Sequence, residues 1–191
     1  ITIQYNKFIN CGQWFTISGR DATDGFETQV SYRICVKHNL VDVTGLNSSD
    51  AKIGYTSNGV KYLTIQHNTG FSVGGGSAAM LFSDNTPKGD NFIFKDNIFS
   101  NATGGCIGTA TADGTVSLNT WYNSRSFTKN AIIGGTSGNF TSPDTGNFFP
   151  ANLAAVGFTD TSGAFTANDY TLTGVSTYHN AASDGTDVGC D

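Results

Sequence analysis

The chain has 191 residues, of which only 13% are charged and 24 are glycine. Its net charge of −5 at pH 7 disfavours nonspecific nucleic-acid binding, which requires clustered Lys and Arg side chains to neutralise phosphates. The abundance of Gly, Ser, Thr and Asn disfavours long helices, and the short runs of Phe, Ile, Val and Tyr favour strands. We therefore predict an all-β protein.

Neither a membrane span nor a leader segment is visible in the sequence. The longest apolar run, residues 78–82, is too short to cross a bilayer. The chain begins at Ile1 inside a predicted strand, and we interpret it as a processed or truncated piece of a longer protein. Many small polar residues and few lysines predict a secreted or cell-surface location.

A six-residue pattern that closes on Asn recurs along the first part of the chain. Successive copies lie 22 to 33 residues apart, and the fifth is looser than the others; their closing residues are Asn6, Asn39, Asn68, Asn97 and Asn119. Within the first copy, Ile1 and Ile3 are predicted to point inward, because side chains alternate between the two faces of a strand. Repetition at this period predicts a solenoid whose coils stack and pair their strands in parallel.

Each coil is predicted to contain a strand, a turn at Asn, a second strand, a Gly turn and a third strand. Stacked Asn side chains are expected to satisfy backbone groups that the sharp turn leaves unpaired. The second strands are predicted to place a column of large apolar side chains in the core: Phe8, Val41, Phe71, Phe99 and Trp121. The third strands are predicted within 14–17, 60–62 and 79–82, and the loops at 18–30, 44–59 and 83–91.

This coil pattern resembles the right-handed parallel β-helix of the pectin-lyase-like superfamily. The last residues strengthen the resemblance, since Asp169-Tyr170-Thr171-Leu172 and the Asp-Gly-rich run 184–189 are similar to the closing segment of many secreted bacterial β-helix proteins. The chain departs from that pattern at Thr177, Ser183 and Cys190. The resemblance implies one β-helix domain over 1–191, with regular coils in 1–125, an irregular coil and loop in 126–164, and a C-terminal cap in 165–191.

The resemblance implies an extracellular, polysaccharide-associated protein, and a polysaccharide lyase acting on a polyuronate is one activity within it. Such a lyase needs a neutralised substrate carboxylate and a base near the sugar C5 proton. Polar residues at the end of the first strand of neighbouring coils supply the catalytic candidates: Lys37, His38, His67 and Lys95. The competing interpretation is a solvated sheet face at a turn, and no catalytic signature of the superfamily is present.

Three further residues are candidates for contacts with a polysaccharide. Gln66 lies in the same predicted outward column as Lys37 and Lys95, and the aromatic side chains of Trp14 and Tyr55 offer flat faces for sugar rings. An aromatic residue in a repeat column is more often part of the core, so this alternative stays open.

Calcium is the one cofactor that the sequence suggests. Asp21 and Asp24 lie close to Gly25, which suits a hard cation with oxygen ligands, although Ala22 stands where a further ligand is expected. The four cysteines permit buried apolar side chains, disulfide bonds or, less readily, a metal site. Function therefore stays open between a polysaccharide lyase or related enzyme, a noncatalytic structural or adhesive β-helix, and a glycan-binding module.

Overall fold

The computed structural model describes residues 1–21, 29–42, 52–71, 79–162 and 170–190. Within these residues the chain winds into a parallel β-solenoid, which confirms the predicted all-β class and stacked coils. Three parallel sheets run along the solenoid, and we name them A, B and C in the order in which a coil visits them.

Sheet A holds the strands that end just before the recurrent Asn: β1 (Thr2–Gln4), β4 (Tyr32–Lys37), β7 (Lys61–Gln66), β10 (Phe92–Lys95) and β13 (Arg125–Thr128). Sheet B holds the strands that follow it: β2 (Lys7–Phe8), β5 (Leu40–Asp42), β8 (Thr69–Phe71), β11 (Ile98–Ser100) and β14 (Ala131–Ile133). Sheet C completes the coils: β3 (Gln13–Ser18), β6 (Lys52–Ser57), β9 (Ala79–Asp84) and β12 (Cys106–Gly108). Sheets A and B continue through β13 and β14, beyond residue 125.

One predicted third strand was wrong. The second coil contributes Lys52–Ser57 to sheet C, inside the range 44–59 that we expected to be a loop. Residues 60–62 instead lead into β7, because Asn58 and Gly59 adopt positive φ angles of 54° and 72° and turn the chain there. Strands were predicted correctly at 14–17 and 79–82.

The predicted Asn column is present. The Nδ2 group of each Asn donates to Oδ1 of the Asn in the next coil, from Asn6 to Asn39 at 3.0 Å and from Asn39 to Asn68 at 2.9 Å. Asn68 continues the series to Asn97 at 3.0 Å. The backbone N–H of each donor Asn bonds the same Oδ1, so one side chain satisfies groups of two coils.

The fifth member of this column is Asn130, and our assignment of Asn119 was wrong. Asn97 Nδ2 donates to Asn130 Oδ1 at 3.0 Å, and Asn130 repeats the bond to Asn147. Asn119 lies in helix α1 (Thr115–Trp121), which connects β12 to β13. Trp121 ends that helix, so it does not occupy the predicted apolar column.

The inner file of sheet B also differs from prediction at one coil. Its members pair in register: Phe8, Val41, Gly70, Phe99 and Ile132. Gly70 takes the place expected for Phe71, because the Phe99 ring fills the space in which a Cβ of residue 70 would lie, 2.5 Å from Phe99 Cε1. Phe71 points outward and packs against Tyr170, with ring centroids 4.5 Å apart and an interplanar angle of 38°.

The chain after β14 first covers the end of the solenoid, where Phe140 stacks on Phe127, and then packs along the outer face of sheet B. Short 3₁₀ helices at Ser137–Asn139 and Leu153–Val156 interrupt it. Its apolar side chains bury the outward residues of sheet B in a second cluster: Ile98, Ala131, Val156, Tyr178, Ala182 and Val188. The described part of the predicted cap, residues 170–190, contributes Tyr170, Tyr178, Ala182 and Val188 to the contacts with sheet B.

All four cysteines are free thiols in the structure. Cys106 is buried in the main core, and burial raises the pKa of its thiol well above the ordinary value. Cys35 lies on the outer side of sheet A between Thr2 and Thr64.

Candidate functional site

The outer face of sheet A carries the polar column that the sequence predicted. Lys37 pairs in register with Gln66, and Gln66 pairs with Lys95, so the three residues occupy one file on neighbouring coils. Gln4 and Thr128 extend the file at its two ends. This part of the predicted site is brought together by the parallel register alone.

The residue between this file and each ladder Asn adopts a left-handed backbone conformation. The φ angles lie between 49° and 59° for the members of this turn column: Tyr5, His38, His67, Asp96 and Lys129. Such angles are uncommon outside glycine and provide the sharp turn from sheet A to sheet B. Gly146 takes the same place before Asn147, with φ of 82°.

Three rings of the turn column stack face to face. The centroids of Tyr5 and His38 are 5.1 Å apart with an interplanar angle of 13°. Those of His38 and His67 are also 5.1 Å apart, with an angle of 7°. The identical backbone conformation in successive coils sends these side chains in the same direction, so the histidines predicted as catalytic candidates do become neighbours.

Residues 178–190, which we call the covering segment, lie over the far part of this column. His67 is only 2% exposed, and its Nε2 lies 3.0 Å from Asp184 Oδ2. Its Nδ1 lies 3.2 Å from the carbonyl oxygen of Asp187. His67 is therefore enclosed by protein groups, and contact with a polymer at this nitrogen pair requires the covering segment to move.

The covering segment engages Lys95 and Asp96 as well. Asp96 accepts hydrogen bonds from the backbone N–H of Ser183 at 2.7 Å and from its hydroxyl at 2.6 Å. Lys95 Nζ donates to Ser183 Oγ at 2.8 Å and lies 3.5 Å from Asp96 Oδ2. The four catalytic candidates thus share one edge of sheet A, but His67 and Lys95 are held by the covering segment while Lys37 and His38 are half-buried. Their catalytic role stays a prediction.

The three predicted substrate-binding residues do not form one surface. Gln66 lies on the outer face of sheet A, and Tyr55 shares a file of sheet C with Phe82, with ring centroids 5.3 Å apart. The Trp14 ring packs into the core end against Phe15 and Phe99, at centroid distances of 4.9 and 6.2 Å. Trp14 is half-buried and also lines a cavity beside Ile1 and Ile3. Its contact with a polysaccharide stays a prediction.

The calcium prediction is only partly within reach of the structure. Asp24 lies outside the described residues, and Asp21 is the last residue before that gap. Among the residues that the structure describes, no group of three or more His, Cys, Asp or Glu side chains is arranged to hold a metal ion. The calcium site at Asp21 and Asp24 stays a prediction.

A groove that the sequence analysis missed lies at the opposite edge of sheet A. It has a volume of about 330 Å³ and is lined by Tyr62, Thr64, Asn91, Phe92, Ile93, Ser124, Arg125 and Ser126. Its floor is the outer file that contains Thr64, Ile93 and Ser126. Tyr62 stands at the rim with 52% of its surface exposed.

Tyr62 and Asn91 belong to a second column of left-handed residues. The φ angles of Arg33, Tyr62 and Asn91 are 57°, 54° and 52°, and each residue directly precedes an inward residue of sheet A. Asp90 Oδ1 accepts hydrogen bonds from the Asn91 N–H at 3.1 Å and from the Ser124 hydroxyl, which fixes the polar rim. These positions could have been located in the sequence, because each residue lies directly before one of the aligned repeats, which begin at Ile34, Leu63 and Phe92.

Comparison of the chain with protein-family models, with curated proteins and with solved structures gave no match. The superfamily therefore stays a resemblance, and the functional argument depends on the geometry of this chain. No helix in the described part of the chain is both long enough and apolar enough to cross a membrane.

Proposed function

We propose that this protein is an extracellular glycan-binding module that holds a polysaccharide on the outer face of sheet A. The observation that carries the proposal is the groove beside Tyr62. Its volume of about 330 Å³ falls at the lower end of the range for ligand sites, roughly 300–1,000 Å³. Its lining spans three stacked coils, with Thr64, Ile93 and Ser126 paired in register.

The groove offers the chemical groups that a sugar ring requires. Tyr62 supplies a half-exposed aromatic face for the apolar side of a ring. Thr64, Ser124 and Ser126 supply hydroxyl groups, and the Asn91 side chain adds an amide, so both donors and acceptors are present. Arg125 lines the groove but pairs with Asp144, which leaves the lining chiefly neutral.

Binding to a panel of neutral and acidic soluble polysaccharides, measured by affinity electrophoresis and calorimetry, tests this proposal. We expect Tyr62→Ala to weaken binding about tenfold or more, which corresponds to about 1.4 kcal/mol. Tyr32→Ala is the matched control, because Tyr32 is similarly exposed on the neighbouring strand but does not line the groove. Absence of binding to every glycan overturns the proposal in favour of a structural or adhesive role. Equal affinities for the two variants overturn the assignment of the groove as the binding site.

A polyuronate lyase is the second candidate function. It is favoured by the file of Lys37, Gln66 and Lys95. The two lysines lie one coil to either side of Gln66, and two regularly spaced cations suit a polymer with a repeating carboxylate. His38 follows Lys37 in the turn column and is half-buried, and it is the base candidate in this arrangement. A lyase must release unsaturated sugars that absorb in the ultraviolet, and this product must fall in Lys37→Ala and His38→Ala. A flat trace with pectate and alginate, with and without calcium, removes this candidate.

A further inference from the structure

The covering segment is bound to the solenoid by specific contacts over a short stretch. The Gly189 N–H donates to the Asp96 carbonyl oxygen at 2.8 Å, and the Cys190 N–H donates to Thr69 Oγ1 at 3.0 Å. Gly189 has φ of 96°, and a Cβ there would lie 2.6 Å from Thr69 Oγ1. Val188 is buried among the outward residues of sheet B. The segment therefore fits one position, with His67 directly beneath it.

Both ring nitrogens of His67 face hydrogen-bond acceptors. Nδ1 faces the carbonyl oxygen of Asp187, which cannot donate, and Nε2 faces a carboxylate oxygen of Asp184. A neutral imidazole carries only one N–H, whereas the imidazolium cation carries two. Both contacts are satisfied only when His67 is protonated.

The charged groups around the ring favour the same protonation state. Besides Asp184, Asp96 Oδ2 lies 3.9 Å from Nε2, and the nearest cation, Lys95 Nζ, is paired with Asp96 at 3.5 Å. His38 stacks on the His67 ring, with centroids 5.1 Å apart. His179 in the covering segment pairs with Asp187 at 2.7 Å.

Asp184 stays ionised across the pH range in which histidine titrates. Hydrogen bonds from the Thr186 hydroxyl and N–H, together with His67, lower the pKa of Asp184 to about 2. Thr186 belongs to the covering segment itself, so the largest cause of this low pKa acts within the segment. Asp184 therefore presents a carboxylate to His67 throughout the range in which histidine ordinarily titrates.

We propose that docking of residues 178–190 is coupled to uptake of one proton by His67, so that raising the pH releases the segment and uncovers His67, Lys95 and Asp96. The docked state binds a proton that the open state gives up, so docking is strongest below the range in which histidine ordinarily loses its proton, about pH 6.5, and weakens above it. The released strip adjoins Lys37 and His38. This coupling does not depend on glycan binding at the Tyr62 groove.

Hydrogen exchange of the backbone N–H groups of Ser183, Gly189 and Cys190, corrected for the intrinsic rate, measures the opening directly. Between pH 5.5 and pH 8 we expect the opening equilibrium to increase about tenfold, the size of one charge-assisted hydrogen bond. His67→Gln should exchange at the high-pH level throughout. His179→Gln is the control and should keep most of the pH dependence, because its ion pair is half-exposed and screened by water.

A flat profile in the unaltered protein, or an unchanged profile in His67→Gln, overturns the coupling. If His67→Gln fails to fold, nitrogen chemical shifts of the unaltered protein decide the matter. The docked form at pH 5.5 must show both ring nitrogens of His67 protonated, and a neutral tautomer there contradicts the proposal. Asp184→Asn should shift the midpoint of opening to lower pH, because it removes the anion that faces Nε2.

Discussion

The two ends of the solenoid differ in how the same inner file of sheet A is terminated. That file runs through Ile3, Val36, Ile65, Phe94 and Phe127. Ile3 is 37% exposed at the first coil, whereas Phe127 at the last coil is 1% exposed. The residues are equivalent in the repeat, and Phe127 is buried because residues outside the repeat pack on it.

Sequence that does not belong to the repeat closes the last coil. Phe140 stacks on Phe127 with a centroid distance of 5.3 Å and an interplanar angle of 10°. Beside it, Arg125 makes two hydrogen bonds to Asp144, at 2.8 and 2.7 Å, with both side chains buried. At the first coil, Ile1 and Ile3 instead border a cavity of about 250 Å³ whose walls include Trp14 and Phe15. Stacking builds the core, but it leaves a terminal coil with an apolar face that only other contacts can bury.

The largest expected effect is at the closed end. Asp144→Ala leaves Arg125 buried without its partner, and removal of one member of a buried ion pair costs about 3–5 kcal/mol of unfolding free energy. Urea unfolding followed by circular dichroism measures the loss. Arg33→Met near the open end is the control and should change stability by less than about 0.5 kcal/mol, because Arg33 is exposed. Equal effects at both ends would contradict the comparison.

In the Asn column, we expect an inner Asn to contribute more to the free energy of unfolding than the Asn of the first coil, by a smaller margin than in the preceding comparison. Asn68 donates to Asn97, Val36 and Gln66 and accepts from Asn39, so Asn68→Ala should cost about 2–4 kcal/mol. Asn6 donates to Gln4 and Asn39, and no described residue donates to its Oδ1, so we expect about 1 kcal/mol for Asn6→Ala. Thermal and urea unfolding of both variants provide the measurement. A larger loss of unfolding free energy for Asn6→Ala than for Asn68→Ala would contradict this prediction.

Substitution of Gly70 tests packing in the middle of the rod. The added Cβ of Gly70→Ala collides with the Phe99 ring, and overpacking of a core costs about 1–3 kcal/mol. Gly12→Ala in the first coil is the matched variant, since nothing lies within 4 Å of a Cβ at that position. It should be close to neutral in the same unfolding experiment. Similar losses for the two glycines would show that the coils are packed alike.

The smallest change in stability is expected at Ile3. Ile3→Lys places a charge on the half-exposed edge and should reduce stability by about 1 kcal/mol or less. The same substitution should lower concentration-dependent self-association, because an exposed apolar edge strand pairs readily with other chains. Light scattering across a concentration series measures this. An unchanged mean mass would show that this end does not mediate association.

Much of the fold could be predicted because each repeat is defined by residues that are close together in the sequence. The spacing from an inward residue to Asn is constant in Ile3 to Asn6 and in Phe94 to Asn97, and it placed the ladder correctly. The same spacing joins Phe127 to Asn130, whereas Asn119, which we assigned to a looser fifth copy, lies only 22 residues after Asn97. Helix α1 contains Asn119, and the regular pattern returns in β13 after the helix.

The sequence predicted only those neighbours in the candidate site that the parallel strand register brings together. Lys37, Gln66, Lys95 and the stacked histidines are neighbours because parallel coils repeat one conformation. The packing of Trp14 against Phe99 could not be read from the sequence, because it joins residues 85 positions apart.

By itself, the sequence determined the coil, the inward files and the Asn column, because alternation and turn chemistry act between residues close in the chain or one period apart. Only the tertiary structure decided which end of the rod is closed and that His67 lies beneath Asp184. Those contacts join residues as much as 117 positions apart, and they arise from the packing of non-repeating segments on the finished solenoid. No local pattern encodes such a pairing, because its free energy comes from burying a surface that exists only after the coils have stacked.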